Sequence, residues 1–501
     1  MTQQRLGAAR YPASLELRIP LDYDTLVPLI INGKNLWIKQ GGPIMSAAKT
    51  AKPVTLVTFL LSVGLMLSGT LAPEAIAQDR SSRYVVKPDP SLVNTLHERL
   101  MQRDGTLQDL FQMTAQTLSP EGADLPAGTS FVRLEDVPIS YSKTRVESSG
   151  IISETSHINP RYQKNYDRYI MFVPENKIPS FLFIQKGVSE ARIIRSKEIT
   201  EFLLTDVPGS QYGHDKTEVA NKMGENGAVI LLLTGAHRDP NNLPGNQLPG
   251  QELYESETPV PGDEWYMTQV REHRDAGFEE ILHFVHDNGI GATTDGALEE
   301  YNSEIDAAVL ENAEKGLLTL RPGFDSNCQE YLAGIVDCYY GLLDAVGRES
   351  SFGRYTLITR QKVIEQDALG HGLLTKFFPP YINVPFSLDP QFSGTFKMHL
   401  AAERYTRRSQ YLLHLRITGT NDVNVEGNAQ DNVIIQNPGD NRIDGAQGVD
   451  VVFYEKPYNG FTIDKINGTI HVQGSGTDLL DNIEYIVFKD AVVKINSPAQ
   501  E

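Results

Sequence analysis

Cysteine is almost missing from this chain: 501 residues carry only Cys328 and Cys338. A helix rises about 1.5 Å per residue, so on one helix the pair would stand about 15 Å apart, beyond the roughly 7 Å between Cα atoms that a disulfide tolerates. That excludes a disulfide-stapled fold, and the two read as buried free thiols where the segment is helical. Positive charge is also short. Lys and Arg number 45 against 64 Asp and Glu, a formal net charge of −19. A nucleic-acid partner would call for a basic face, so none is expected. The balance suits a secreted, soluble or cation-binding protein. No G-x-S-x-G elbow, Walker loop or Rossmann fingerprint is present, which removes the usual serine-hydrolase, nucleotide and dinucleotide readings. What remains, 40% hydrophobic and 22% charged residues, describes a soluble globular protein of two or three domains.

Residues 1–44 match no targeting pattern. Met45, Lys49 and Lys52 then precede the apolar run Val54–Leu67, and Ala75-Ile-Ala77 supplies a small-residue cleavage site. These are the three regions of a secretory signal peptide. The run is shorter than the ~20 residues of a spanning helix. The expectation is a signal peptide over 45–77, a mature chain from Gln78 that is secreted or extracytoplasmic with no stable membrane span, and an extension over 1–44 created by a misplaced start. An uncleaved N-terminal anchor is the alternative.

Residues 78–165 read as an N-terminal extension. Leu96, Leu100 and Leu107 suggest a helix over Leu92–Thr117, and short strands are expected near Phe131 and Val137. From Tyr166 the pattern is that of an α+β domain reaching residue 416, a small sheet plus helices. Tyr169–Val173, Phe181–Ile184 and Gly227–Thr234 read as buried strands. Ser189 caps a helix to about Leu204. Residues 238–263 form a Pro/Gly/Asn-rich loop, long enough to be functional or disordered. Helices follow over Asp275–His286, Glu299–Lys315 and Glu330–Tyr340. His371 reads as a loop histidine.

The Asp275–His286 helix holds the densest chemistry. Phe278, Ile281, Leu282 and Val285 recur at i, i+3, i+4, i+7 and form a core face. Glu279, His283 and His286 share a neighbouring face. Carboxylate and imidazole one turn apart on a rigid support suit a tetrahedral metal, and Glu280 stands where a zinc hydrolase keeps its general base. The plain alternative is an amphipathic helix with a polar flank and no metal.

Glu279-Glu280-Ile-Leu-His283 resembles the H-E-x-x-H motif of zinc metallopeptidases with Glu in place of the first His. Glu330 opens a helix forty-seven residues after His283. This is similar to the gluzincins, most closely the anthrax-lethal-factor-like group. The resemblance implies zinc held by Glu279, His283 and Glu330, water activated by Glu280, and a peptide or protein substrate. It also offers His286 as a substitute ligand and Tyr339 or Tyr340 as an oxyanion partner. The departure has a consequence: two Glu and one His hold zinc less tightly, and the added charge raises the pKa of the bound water. The domain can therefore be metallopeptidase-like yet degenerate.

From Thr418 the composition turns to Gly, Asn, Asp and β-branched residues. Four nine-residue units can be written, beginning at Thr418, Gly427, Gln436 and Gly445. Their eighth positions are Val425, Ile434, Ile443 and Val452; their sixth are Val423, Asn432, Asn441 and Asp450. The units, with a tail through Phe488, resemble the RTX, or haemolysin-type, calcium-binding repeats. The resemblance implies an all-β parallel β-roll over 417–501 with calcium between turns, and Asp431, Asp440, Asp444 and Asp450 as ligands. A roll held by its apolar ladder without an ion is the alternative. Family members usually leave the cell by a type I route, from which a Sec-type signal departs. Two functional readings follow. One is an exported, zinc-dependent metallopeptidase-like hydrolase carrying a calcium-binding roll. The other is a non-enzymatic calcium-binding protein of the cell surface or matrix, acting in adhesion.

Overall fold

The computed structural model describes residues 26–31, 34–39, 45–46 and, with short interruptions, 125–496. The expected apolar signal run and the helix over Leu92–Thr117 lie outside these residues. In the N-terminal unit, β1 (Leu26–Ile31) pairs antiparallel with β2 (Lys34–Lys39), which pairs with β3 (Met45–Ser46). The larger unit, described by itself below, carries mixed α/β structure followed by a run of parallel strands.

The larger unit begins with β4 (Thr129–Val132) and β5 (Glu147–Ser148), then α1 (Pro160–Gln163), β6 (Tyr166–Val173) and β7 (Ser180–Gln185). Next come α2 (Glu190–Leu203), α3 (Thr217–Glu225), β8 (Val229–Leu233) and β9 (Gln251–Tyr254). The five strands β5-β6-β7-β8-β9 lie in that order. β5, β6 and β7 are antiparallel, whereas β7, β8 and β9 are parallel, with α2 and α3 joining β7 to β8. Period-two alternation gives this sheet two apolar faces. Ile170, Phe172, Leu182, Ile184, Ile230 and Leu232 meet the helices. Tyr169, Met171, Phe181, Phe183, Val229 and Leu231 face away and are covered by Ile152, Ile158 and Tyr162. That is why these strands read as continuous apolar runs. β9 corrects the expected loop over 238–263. Its four residues carry no long apolar run, but Leu253 and Tyr254 are buried against β8.

The helical part comprises α4 (Gly277–Val285), α5 (Glu299–Glu314), α6 (Asn327–Tyr339), α7 (Arg360–Gln366) and α8 (Ala368–Phe377). α6 starts before Glu330, placing that residue in its first turn. Cys328 and Cys338 both lie on α6, buried and unbridged. His371 sits in α8 rather than in a loop; α8 is capped by the Asp367 carboxylate, which accepts the Gly370 N–H at 2.8 Å.

Two further sheets follow. Their strands are β10 (Phe386–Ser387), β11 (Gly394–Lys397), then after α9 (Thr406–Ser409), β12 (His414–Arg416), β13 (Val423–Glu426), β14 (Val433–Ile435), β15 (Arg442–Asp444) and β16 (Val451–Tyr454). β17 (Thr462–Ile466), β18 (Thr469–Gln473), β19 (Thr477–Asp481), β20 (Tyr485–Phe488) and β21 (Val492–Ile495) complete them. From β10 to β16 even and odd strands separate: β10-β12-β14-β16-β20-β21-β4 form one sheet and β11-β13-β15-β19-β18-β17 the other. Val425 is paired in register with Ile443, and Ile434 with Val452. Each turn of chain therefore visits both sheets, as a nine-residue half-turn requires. The eighth-position residues Val425, Ile434, Ile443 and Val452 are all buried between the sheets. Each contributes about 1.5–3 kcal/mol by leaving water.

Two boundaries differ from the composition. The parallel ladders begin at Phe386, well before residue 417. β4 pairs with β21 and so belongs to the same sheet, although it comes from the expected N-terminal extension. Beyond it, Leu134–Asp136 form a single helical turn where a strand near Val137 was expected. Val132, Leu134 and Val137 pack on the outer face formed by Val433, Ile435, Val451 and Phe453.

Candidate metal centre

α4 is helical because Phe278, Ile281, Leu282 and Val285 fill the core against α2, α6 and the sheet. It ends in a wide turn over His286–Ile290 and at Gly291, whose φ of 117° favours glycine. At its start, buried Asp275 receives Arg195 of α2 at 2.5 Å and Arg408 of α9 at 2.7 Å. The first turn of the helix is thus fixed by charge as well as by packing.

Glu279 and His283 lie one turn apart on α4 with 3.7 Å between His283 Nε2 and Glu279 Oε1. Glu330 arrives from the first turn of α6, which crosses α4. One donor atom from each of Glu279, His283 and Glu330 lies within 4.8 Å of the others. Among the described residues this is the only group of three such side chains. Glu279 is buried, His283 nearly so, and Glu330 half-buried. Burial alone would lower the His283 pKa, but the hydrogen bond and charge of Glu279, with the charges of Glu280 and Glu330, raise it to about 9. The imidazole is held as a cation where a divalent ion would substitute for its proton.

Glu280, half-buried on the same helix, accepts a hydrogen bond from Gln251 Nε2 of β9 at 2.6 Å. Gln251 so orients the carboxylate beside the three donors. Arg354 approaches Glu330, its Nη2 at 3.9 Å from Oε2. The sequence carries no signal for either residue. Gln251 lay in an apparent loop, and Arg354 has no helical spacing to tie it to the motif.

Three residues expected near this centre are turned elsewhere. Fully buried His286 bonds through Nε2 to Asn302 Oδ1 at 2.9 Å, and burial pushes its pKa down to about 4. Tyr340 donates its hydroxyl to the Pro379 carbonyl. Tyr339 lies under the Arg360 guanidinium, which also donates to its carbonyl at 2.7 Å.

The carboxylates of the double sheet are engaged between successive turns of chain. Asp450 Oδ1 accepts the Asn432 N–H at 2.8 Å, and Asp450 N–H in turn donates to Glu484 Oε2 at 2.8 Å. On the other sheet, the Val423 N–H donates to Asn441 Oδ1 at 3.1 Å and the Asn441 N–H to Asp478 Oδ1 at 3.0 Å. Asp431 accepts from Val449 N–H and Asp440 from Thr477 N–H, at 2.8 and 2.7 Å. Asp444 accepts from Ala446 N–H and from Asn482 Nδ2. Glycine is required at Gly427 and Gly445, where a Cβ would come within 2.3 and 2.2 Å of a carbonyl oxygen of the next turn. Asp431, Asp440 and Asp444 thus each accept through Oδ1. Asp450 Oδ2 is different: it is buried and has no hydrogen-bond partner.

No protein-family model and no curated protein matches the chain. Among solved structures, the extracellular lipase LipA of Serratia marcescens aligns with 10% identity and a TM-score of 0.12, over 72% of this chain and 60% of that one. The chain thus spans less than two thirds of that protein's length, and so small a likeness says nothing of its fold or activity. Among the described residues, no helix is long and apolar enough to cross a membrane.

Proposed function

We propose that this chain is an exported, metallopeptidase-like hydrolase. Glu279, His283 and Glu330 would hold a zinc ion, and Glu280 would take the proton of the attacking water. The substrate class is a peptide or protein. The observation that carries the reading is the convergence of three donors, from two crossing helices, within 4.8 Å. An oxygen–nitrogen–oxygen set is suited to zinc, which when bound would act as a Lewis acid on a carbonyl. The chain's own residues supply the rest: Gln251 orients Glu280 at 2.6 Å, and Arg195 and Arg408 on Asp275 anchor the helix that carries Glu279, Glu280 and His283. Elemental analysis of the purified chain beside H283A tests it. About one zinc per chain, lost in the variant, supports the reading; a chain without zinc in either form sinks it.

The double sheet fits a β-roll of the RTX kind in its half-turn period and its buried eighth positions. A non-enzymatic, calcium-binding surface protein is the second reading. One observation favours it: the orphaned Oδ2 of Asp450, buried close to Glu484, Asp431 and Asp444. Calcium titration of wild type and D450N decides whether an ion binds there.

A further inference from the structure

The proposed donor set has one carboxylate more than a set with two histidines. Glu279, Glu280 and Glu330 place three negative charges around a single imidazole; a histidine at the Glu279 position would leave two. A partly desolvated carboxylate without a nearby cation is strongly unfavourable. Arg354 supplies a cation beside Glu330. It is 7% exposed, and its Nη2 lies 3.9 Å from Glu330 Oε2. The charges of Glu330 and Glu279 both act on it, against its burial and the repulsion of Arg321. Its backbone is held independently of the site. The Arg354 carbonyl accepts the Thr319 N–H at 3.0 Å, and Tyr355 is bridged to Leu318. The guanidinium is thus delivered by a fixed segment rather than by a free side chain.

A guanidinium stays charged in a protein, so its charge there is constant. Counted formally with His283 neutral, as it would be when holding a metal, three carboxylates and one guanidinium leave two negative charges. Two histidines with a ligand glutamate and a base glutamate leave the same two, which one divalent ion neutralises.

We propose that Arg354 is the counter-charge that makes a two-glutamate set workable: it offsets the carboxylate that Glu279 adds and keeps Glu330 turned toward Glu279 and His283. It is a positioning residue. Its purpose rests on the metal-site reading above, but its electrostatic coupling to Glu279 can be measured without metal.

The test is a double-mutant cycle on the full chain. Thermal midpoints of wild type, R354Q, E279H and E279H/R354Q are measured in EDTA, and zinc content is determined separately. R354Q in the wild-type background should lower the midpoint by about 2–4 °C, the size of a change of roughly 1 kcal/mol in a domain of this class. In the E279H background the same change should move it by less than half as much. A residue that merely props the fold would give equal drops in both backgrounds, and equal drops overturn the proposal whatever the zinc result. R354K, which keeps the charge, should recover part of the loss. Should R354Q fail to fold, recovery of folding in E279H/R354Q supports the proposal and a second failure overturns it. Zinc missing from wild type while the coupling persists overturns the metal reading and leaves the counter-charge standing.

Discussion

Asp275 and Arg408 meet 2.7 Å apart with almost no solvent at either. The contact ties two parts of the molecule that are distant in sequence. Asp275 leads directly into α4, which carries Glu279 and His283. Arg408 belongs to α9 and lies over the ring of Phe386, in the first strand of the seven-stranded sheet. Arg195 of α2 shares the same carboxylate oxygen. D275A should leave two buried guanidiniums facing each other without their common anion. Removing one member of such a group costs about 3–5 kcal/mol. Urea unfolding of D275A should show a loss of this size. A variant within about 0.5 kcal/mol of wild type, the range of ordinary surface substitutions, would mean the charges are solvated and the joint is not electrostatic.

The proposed metal site separates ligand from base by experiment. E279Q and H283A each remove a donor and should lose bound zinc. E280Q removes no donor of the set, so its zinc content should stay near one per chain while any peptide-hydrolysing activity falls about 100-fold or more, as for loss of a general base. Elemental analysis with a peptide-library assay checks both halves. Zinc lost equally in all three variants would show that Glu280 is a ligand instead.

How much of this could be read beforehand depends on where the information lies. The core face of α4 and the one-turn spacing of Glu279 and His283 are local, so periodicity exposes them. The eighth-position ladder of Val425, Ile434, Ile443 and Val452 is local for the same reason. Gln251 and Arg354 reach the site only through tertiary contact, across 29 residues to Glu280 in the first case. No spacing rule encodes that. His286 shows the converse. One turn beyond His283 it looked like a ligand, but the helix widens at His286, and Asn302 of the neighbouring helix takes its ring. β4 was legible as a strand, while its partner β21 lies at the opposite end of the larger unit.

The double sheet should fold without calcium. Its turns are linked by side chain to backbone bonds, such as Asn441 Oδ1 to Val423 N–H and Asp478 Oδ1 to Asn441 N–H. N441A would remove an acceptor and leave a buried N–H unsatisfied, at about 1–3 kcal/mol. In EDTA the wild-type sheet signal in circular dichroism should persist, and N441A should melt earlier. Added calcium should raise the wild-type midpoint further and leave D450N unmoved. A wild-type chain that loses its sheet signal in EDTA would show that the ladder of amides is insufficient and that calcium holds the turns together.

Lys216 gives a pH dependence of its own. It is fully buried, its Nζ donates to the Leu203 carbonyl at 2.9 Å, and it lies 4.2 Å from the centre of the Phe377 ring. Burial pushes its pKa down to about 7, partly opposed by Asp206. An unfolded lysine titrates near about 10.4, so the folded chain binds fewer protons than the unfolded chain between these values. Below about pH 7 both states are charged, and the folded state bears the whole penalty of a buried ammonium. As pH rises from 7 toward 10 that penalty fades, because giving up the proton that the unfolded chain still holds costs less. The Lys216 contribution to stability therefore rises with pH over this window. K216M removes the titrating group. Thermal midpoints of wild type and K216M, compared at pH 7, 8.5 and 10, should converge or cross as pH rises, with K216M favoured most at pH 7. A difference independent of pH would show that Lys216 keeps its charge in the folded chain, stabilised by Asp206 and the ring of Phe377.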